Sequence, residues 1–69
     1  MISIKALLLS DIGRCVEYHG GAGEKELGII KSWNDQFIFV VYPGKNYSKA
    51  EHFKEYTAAA TKPEQLFFI

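Results

Sequence analysis

The segment FIFVVY, residues 37–42, is the feature that most limits how this chain can fold. Six apolar residues follow one another without a break, and all of them are β-branched or aromatic. Such residues favour extended backbone, and an unbroken apolar run suits a strand that is covered on both faces. The turn-forming pair Pro43-Gly44 follows directly. We therefore predict that residues 37–42 form a central core strand that ends before Pro43.

The polar residues before this strand predict a tight hairpin. The turn Trp33-Asn34-Asp35-Gln36-Phe37 joins an upstream apolar stretch, residues 27–33, to the core strand. Asn and Asp tolerate the left-handed backbone conformation that two-residue hairpin turns require. We therefore expect the two apolar stretches to pair as antiparallel strands, with left-handed backbone at the Asn-Asp pair.

Chain length and cysteine content limit how such a fold is stabilised. A chain of 69 residues makes one small domain, residues 1–69. A chain of this size buries only about 60% of the surface that its unfolded form exposes. Cys15 is the only cysteine, which excludes an intrachain disulfide and the paired-cysteine zinc patterns. Because 48% of the residues are hydrophobic, we expect an apolar core, or a partner subunit, to provide the stability.

Upstream of the hairpin, the pattern predicts one strand and an N-terminal segment that is either a strand or an arm. Val16 and Tyr18 alternate with Cys15 and Glu17, which predicts a strand over residues 14–19. Ile2 and Ile4 also alternate with polar residues, so residues 1–10 are predicted as an N-terminal strand or arm. A turn at residues 10–13 and an exposed, glycine-rich loop at residues 20–26 separate these elements.

Downstream of Pro43, residues 45–60 allow two interpretations. Ser48 and Glu51 match the capping-box pattern, and apolar residues follow at helical spacing, which would give a short helix through residue 57. We favour the alternative, a helical turn within residues 48–54 followed by a strand over residues 56–61. A second capping-box match at residues 61–64, with Pro63 in the first turn, predicts a 3₁₀ turn. Residues 67–69 then form a short closing strand that ties the C-terminus into the core.

Taken in order, these elements resemble an SH3-like small barrel of the Tudor or KOW kind. The segments that carry the resemblance are DIGRCVEY, the glycine in ELGIIKSW, the hairpin into FIFVVY, and the ending TKPEQLFFI. The resemblance covers roughly residues 11–69. It implies a mainly β fold, an SH3-like five-stranded small barrel with a helical segment or 3₁₀ turn near the C-terminal half. It does not transfer a function.

The chain also resembles small uncharacterised proteins from bacteriophages and prophages. The likeness lies in the GR-V-Y, SWND-F-FVVY and YTAAAT-PE-L-FI segments. It implies a phage or prophage origin and no particular activity. No export signal is visible, and no stretch approaches the roughly 20 apolar residues that span a bilayer. With a single unpaired cysteine, we expect no membrane association and a cytoplasmic location, the host cytoplasm if a phage encodes the chain.

Aromatic residues are the main candidates for a binding site. Trp33 could pack over the barrel beside the hairpin, or it could be an exposed anchor of the type that is enriched at interface hot spots. Asn34 and Asp35 would present it. Tyr18, Trp33, Tyr42, Tyr47 and Tyr56 could together form an aromatic surface. In Tudor-like domains a comparable cluster cages methylated Lys or Arg. The predicted binding residues are Trp33, Asn34, Asp35, Tyr18, Tyr42 and Tyr47.

No residue pattern indicates catalysis, a metal or a cofactor. His19 and His52 are isolated and are expected to be exposed to solvent. Cys15 next to Val16 is expected to be an inert small hydrophobe. The glycines at residues 20–23 lack the lysine and the following helix of a phosphate-binding loop. We therefore predict a non-enzymatic protein without cofactor.

Three functions are consistent with these residues. The first is a module that binds a protein, either host or phage, through residues 20–24, 33–35 and 44–55. The second is nucleic-acid binding, as in KOW-like barrels, with cations from Arg14, Lys31 and Lys45. A formal net charge of zero weakens it, because phosphate binding usually leaves a basic surface. The third is a structural or self-associating phage accessory protein that pairs through strand edges.

Overall fold

Five antiparallel strands in one sheet make up this mainly β structure. A computed structural model describes all residues, 1–69. The strands are β1 (Cys15–His19), β2 (Lys25–Trp33), β3 (Ile38–Val41), β4 (Ala59–Thr61) and β5 (Leu66–Phe68). They lie in the order β4-β3-β2-β1-β5. One short helix, α1 (Tyr47–Glu51), and four 3₁₀ turns complete the structure, at Ile4–Ala6, Leu9–Asp11, Phe53–Glu55 and Pro63–Gln65.

The centre of the sheet is β2, not the FIFVVY strand. Strand β2 is the longest and pairs with both β1 and β3, with Val16 opposite Gly28 and Ile30 opposite Val40. Strand β3 lies second from the edge, between β2 and β4. The strand predicted at residues 37–42 is therefore not the central one. Only the short strand β4 lies on one side of β3, whereas three strands lie on its other side. A bulge between Ile30 and Ser32 shifts the register of the β2–β3 pair.

The apolar core lies on one face of the sheet, which we call the inner face. Its fully buried side chains come from every part of the chain: Val16, Ile30, Ile38, Val40 and Leu66, joined by Ile2. Burying one such side chain completely contributes about 1.5–3 kcal/mol. The strands therefore hold together mainly through this inner face, and the wide sequence separation of its members makes the core a product of the whole chain.

The opposite, outer face is partly covered by the segment 46–56. Val41 and Ile29 face each other on this side and are both buried. The Nζ atom of Lys31 donates a hydrogen bond of 2.6 Å to the carbonyl oxygen of Tyr56, which fastens the end of the segment to β2. Strand β3 thus has buried residues on both faces, and the prediction that both its faces are covered is confirmed.

The N-terminal residues do not form a strand. Instead, residues 4–6 and 9–11 form 3₁₀ turns, so of the two predicted alternatives, a strand or an arm, the strand is wrong. The reason is local hydrogen bonding, which competes with sheet formation. The Asp11 carboxylate accepts from the backbone N–H of Leu8 at 2.8 Å and pairs with the Arg14 guanidinium at 3.0 Å. Ile2 still reaches the core, because its N–H donates to the Pro63 carbonyl at 3.1 Å.

The hairpin between β2 and β3 is closed by the side chain of Asn34. Its carboxamide oxygen accepts from the N–H groups of Gln36 and Phe37, both at 2.8 Å. Its own N–H donates to the Phe37 carbonyl at 3.0 Å. The predicted hairpin is confirmed, but the left-handed conformation is not, since only glycines have positive φ. The loop comprises residues 34–37, and the asparagine side chain supplies the turn contacts.

The segment after Pro43 follows the interpretation with a short helix and a late strand. Helix α1 begins after Asn46, whose Oδ1 atom accepts from the N–H of Lys49 at 3.1 Å. The predicted cap at Ser48 is therefore wrong by two residues. Strand β4 covers only residues 59–61 of the predicted 56–61.

The remaining predicted elements are present, with bounds that differ from the predicted ones by one or two residues. The 3₁₀ turn with Pro63 is confirmed, although its cap is Lys62 and not Thr61. The closing strand is also confirmed and begins one residue early, at Leu66. Leu66, the first residue of the closing strand, is fully buried, while Ile69, the last residue of the chain, is 70% exposed. The closing strand is therefore held in the core by Leu66 and not by Ile69. The glycine-rich loop is shorter than predicted, because Lys25 and Glu26 belong to β2.

Candidate functional site

Of the five aromatic residues that could have formed one surface, the structure brings Tyr18 and Tyr42 together. The rings of Tyr18 and Tyr42 meet edge to face, with centroids 6.1 Å apart and planes at 76°. Trp33 is half-buried and packs against the core elsewhere. Tyr47 lies on the outer face and is 85% exposed. The five residues therefore do not form one surface, because the sheet separates Tyr47 from the pair on the inner face.

The tyrosine pair forms one wall of a cavity of about 330 Å³, which we call the tyrosine groove. Strand β4 forms the opposite wall, and the remaining lining side chains are Glu26, Phe37, Lys62 and Gln65. The volume lies at the lower end of the range of about 300–1,000 Å³ that is typical of ligand sites. The cavity is therefore large enough to accept one side chain or one small molecule.

Gly28 allows the Tyr42 ring to lie against the sheet. A Cβ atom at this position would overlap Val40 Cγ1 and would lie 3.0 Å from two carbon atoms of the Tyr42 ring. A glycine within a strand often marks such a close approach. A glycine within the apolar stretch ELGII is the sequence feature that could have indicated this close approach.

The Tyr42 hydroxyl is held against β4 by a hydrogen bond with the Thr61 hydroxyl. Burial raises its pKa above the ordinary value, which the hydrogen bond to the Thr61 hydroxyl partly offsets. The negative charge of Glu26 raises the pKa further. The two hydroxyl oxygens are 3.0 Å apart, and Thr61 Oγ1 also donates to the Ala59 carbonyl at 3.2 Å. The hydroxyl of Tyr42 therefore fastens β4 to the tyrosine groove and does not project into solvent.

The predicted hairpin site is only partly available for binding. The Asn34 side chain is occupied by its own turn. Asp35 is exposed. Trp33 packs against the core and is half-buried. The hairpin can therefore offer an exposed carboxylate and a partly exposed tryptophan, while Asn34 has a structural role.

A second cavity, of about 190 Å³, opens on the outer face, and we call it the outer groove. Its most exposed apolar side chains are Leu27, at 58%, and Tyr47. Cys15 is exposed at its floor, and Pro43 and Ala50 complete the wall. Cys15 lies at the start of β1 on the outer face and not at the centre of a strand, and the expectation that it is an inert small hydrophobe stays a prediction. The sequence analysis did not select Leu27. Its place in this groove follows from the strand register, in which it lies opposite Glu17 on the outer face.

Beside the outer groove, a row of side chains crosses three strands. Phe67, Glu17 and Leu27 are opposite one another on β5, β1 and β2. His19 contacts this row through a 2.7 Å approach to Glu17 Oε1 and a ring contact with Phe67 at 4.4 Å. His19 is partly buried, with 37% of its side chain exposed, so its predicted exposure to solvent is met only in part. His52 is exposed as predicted.

Two of the three cationic side chains considered for nucleic-acid binding are engaged within the chain. Arg14 is engaged by Asp11 and stacks over the Phe68 ring at 3.9 Å. Lys31 is engaged by the Tyr56 carbonyl, whereas Lys45 is exposed. No three His, Cys, Asp or Glu side chains converge in a way that would hold a metal ion.

Comparisons of the chain with protein-family models, with curated proteins and with solved structures find no match. None of the helices has the length and the apolar composition that a membrane crossing requires.

Proposed function

We propose that this chain is a non-enzymatic module that binds a protein partner, and that the outer groove is its contact surface. The observation that carries the proposal is the exposure of Leu27 and Tyr47, at 58% and 85%, on two sides of one apolar depression. Apolar side chains that gather around a depression mark interaction sites more often than scattered ones do. Tyrosine is also among the residues enriched at interface hot spots.

The surroundings of the outer groove fit a protein better than a nucleic acid. Its lining contains no Lys or Arg side chain. The neighbouring Glu17–His19 pair and the exposed Lys45 provide a polar rim of both charge signs. Interfaces between proteins combine such a rim with an apolar centre. Full burial of Leu27 against a partner would contribute about 1.5–3 kcal/mol.

The proposal extends to family, origin and location. We propose that the sheet is a small SH3-like barrel, supported by the number of strands, by β5 lying beside β1, and by the 3₁₀ turn that directly precedes β5. The resemblance to phage and prophage proteins makes a bacterial host protein, or another phage protein, the expected partner. The host cytoplasm is the expected location.

The experiment is a pull-down from bacterial lysate with the tagged full chain, treated with nuclease. Leu27→Ser and Tyr47→Ala are compared with wild type. Leu9→Ser is the matched control, because Leu9 is 82% exposed and lines none of the three cavities. We expect one protein to be retained by wild type and Leu9→Ser and lost by the two groove variants.

Equal capture by all four proteins would contradict the proposal. Capture that disappears with nuclease would favour nucleic-acid binding instead. Sedimentation of the free chain checks the remaining alternative, since a dimer that Leu27→Ser dissociates would make the partner a second copy.

A further inference from the structure

The outer edge of β4 has no backbone partner. Strand β4 pairs with β3 alone, and it is the last strand on its side of the sheet. None of the backbone hydrogen bonds outside the sheet ladders involves residues 57–61. The backbone is extended on both sides of this stretch, with φ −105° and ψ 150° at Tyr56 and φ −68° and ψ 133° at Lys62. A row of unpaired N–H and C=O groups is a template for another strand.

The side chains along this edge do not protect it. Residues 57–61 read TAAAT, with no charge and no proline. Charged residues and proline are two of the means by which proteins block an exposed edge. Here they occur only beyond the strand, at Lys62 and Pro63. Ala59 and Ala60 are exposed, and their methyl groups leave room for a neighbouring backbone.

Concave surfaces lie on both faces of β4. Ala59 and Thr61 pair with inner-face residues of β3, and the tyrosine groove opens on that side. Ala60 pairs with Phe39, which belongs to the outer face. A cavity of about 380 Å³, which we call the β4 hollow, opens there between Lys31, Ser32, Phe39 and residues 57–58. Successive side chains of a strand point to opposite faces, so a strand added at this edge would direct its side chains alternately toward the two cavities.

We propose that β4 accepts an extended segment of a partner protein as a sixth strand, with a neutral aromatic or large apolar side chain in the tyrosine groove. The unpaired backbone favours an extended chain, because an added strand pairs with the alternate N–H and C=O groups of an exposed edge. The groove specifies a neutral side chain, because Glu26 and Lys62 offset each other and the Tyr42 hydroxyl is already paired. The proposal rests on the proposed function only in requiring a protein partner, since it uses a different surface.

The experiment displays a library of random seven-residue peptides. It then selects those peptides that bind the immobilised full chain. A strand advances about 3.3 Å per residue, so seven residues can cover the stretch 56–62. The strongest binder is synthesised and titrated into the isotope-labelled protein. We expect amide shifts at residues 57–62 and at Tyr18 and Tyr42. We also expect N-methylation of the peptide at alternate residues to weaken binding about tenfold or more, while the intervening positions tolerate it.

Two proline variants of the protein supply an internal control. The amides of Thr57 and Ala58 make no backbone hydrogen bond, and adjacent amides of an extended chain point to opposite edges. The conformation of Tyr56 is compatible with a following proline. One of Thr57→Pro and Ala58→Pro should therefore weaken the peptide about tenfold, and the other should leave its affinity unchanged.

Several results would overturn the proposal. They are selection of no binder, binders whose shifts map to the outer groove, and binding that N-methylation does not weaken at any position. Leu27→Ser and Tyr47→Ala should leave the peptide affinity unchanged. A failure of strand addition is thereby distinguished from a failure of the outer groove.

Discussion

Replacing Gly28 with alanine tests the packing of the central strand directly. The added Cβ would overlap Val40 Cγ1 and would lie 3.0 Å from the Tyr42 ring, closer than the 3.5–4.0 Å or so at which carbon atoms attract. Val40 is fully buried. Overpacking of this kind costs about 1–3 kcal/mol. Reduced freedom of the unfolded chain offsets about 0.4–1 kcal/mol of that cost.

We therefore expect Gly28→Ala to lower the free energy of unfolding by about 1–2 kcal/mol. For a chain of this size, that corresponds to a fall in Tm of roughly 4–16 °C. The matched control is Gly21→Ala, because a Cβ there meets nothing within 4 Å and φ is not left-handed. The control should be unchanged, or more stable by up to about 1 kcal/mol.

Urea denaturation followed by circular dichroism measures both variants. A double variant with Val40→Ala adds a second test, since removing the methyl group that collides should make the pair less destabilising than the sum of the two single changes. Gly28→Ala as stable as wild type, or a purely additive pair, would refute the described contact between β2 and β3.

Three further predictions concern the hairpin, the Tyr42 hydroxyl and the C-terminus. Asn34→Ala should lower the free energy of unfolding by about 1–3 kcal/mol because it removes both turn bonds, whereas exposed Asp35→Ala should change it by less than about 0.5 kcal/mol; equal effects in urea denaturation would argue against the turn. The pKa of Tyr42 is raised in the folded state, so the unfolded chain loses the hydroxyl proton at a lower pH than the folded chain does. The contribution of the protonated hydroxyl to the free energy of unfolding is therefore fully present below the ordinary tyrosine pKa of about 10. It is lost as the pH rises through the pKa of the folded state. Tyr42→Phe should therefore lose less stability than wild type above that pH, and parallel pH profiles would contradict this. Deleting Ile69 alone should have little effect, while deleting Phe68 as well should cost about 1–3 kcal/mol; thermal denaturation that ranks the two truncations in the opposite order would show that the last residue holds the C-terminus.

The two proposed surfaces fit one type of partner. The segment 46–56 divides the outer face, with the outer groove on one side and the β4 hollow on the other. A protein that extended one strand along β4 could also cover Leu27 and Tyr47. The Leu27 and proline variants separate the two contributions, since each set alters only one surface.

Local pattern was sufficient for the elements that repeat every two residues or carry a turn signal. The alternation around Val16 and the apolar run before Pro43 predicted β1 and β3 within one residue or two at each end. The hairpin at residues 34–37 and the turn at Pro63 were predicted as well. In each case the determining interactions lie within a few residues along the chain.

The N-terminus and the helix cap were not predictable by the same means. Ile2 and Ile4 alternate as a strand would, but Asp11 forms local bonds that favour 3₁₀ turns. Ser48 matches a capping box, but Asn46 is the residue that the turn after Pro43 places at the start of the helix. Two local signals compete at each site, and the surrounding chain decides between them.

The candidate sites divide in the same way. The sequence by itself determined a mainly β chain with a lone cysteine, no net charge, and aromatic residues suited to binding, because composition and period-two alternation are properties of neighbouring residues. Only the tertiary structure decided that Tyr18 meets Tyr42, that Leu27 and Tyr47 flank one groove, and that β4 is left at the edge. These outcomes depend on strand order and register, which join residues far apart in the sequence, such as Val40 with Ala59 and Val16 with Phe68. Such pairings are selected by the burial of the whole inner face, and no short segment contains that information.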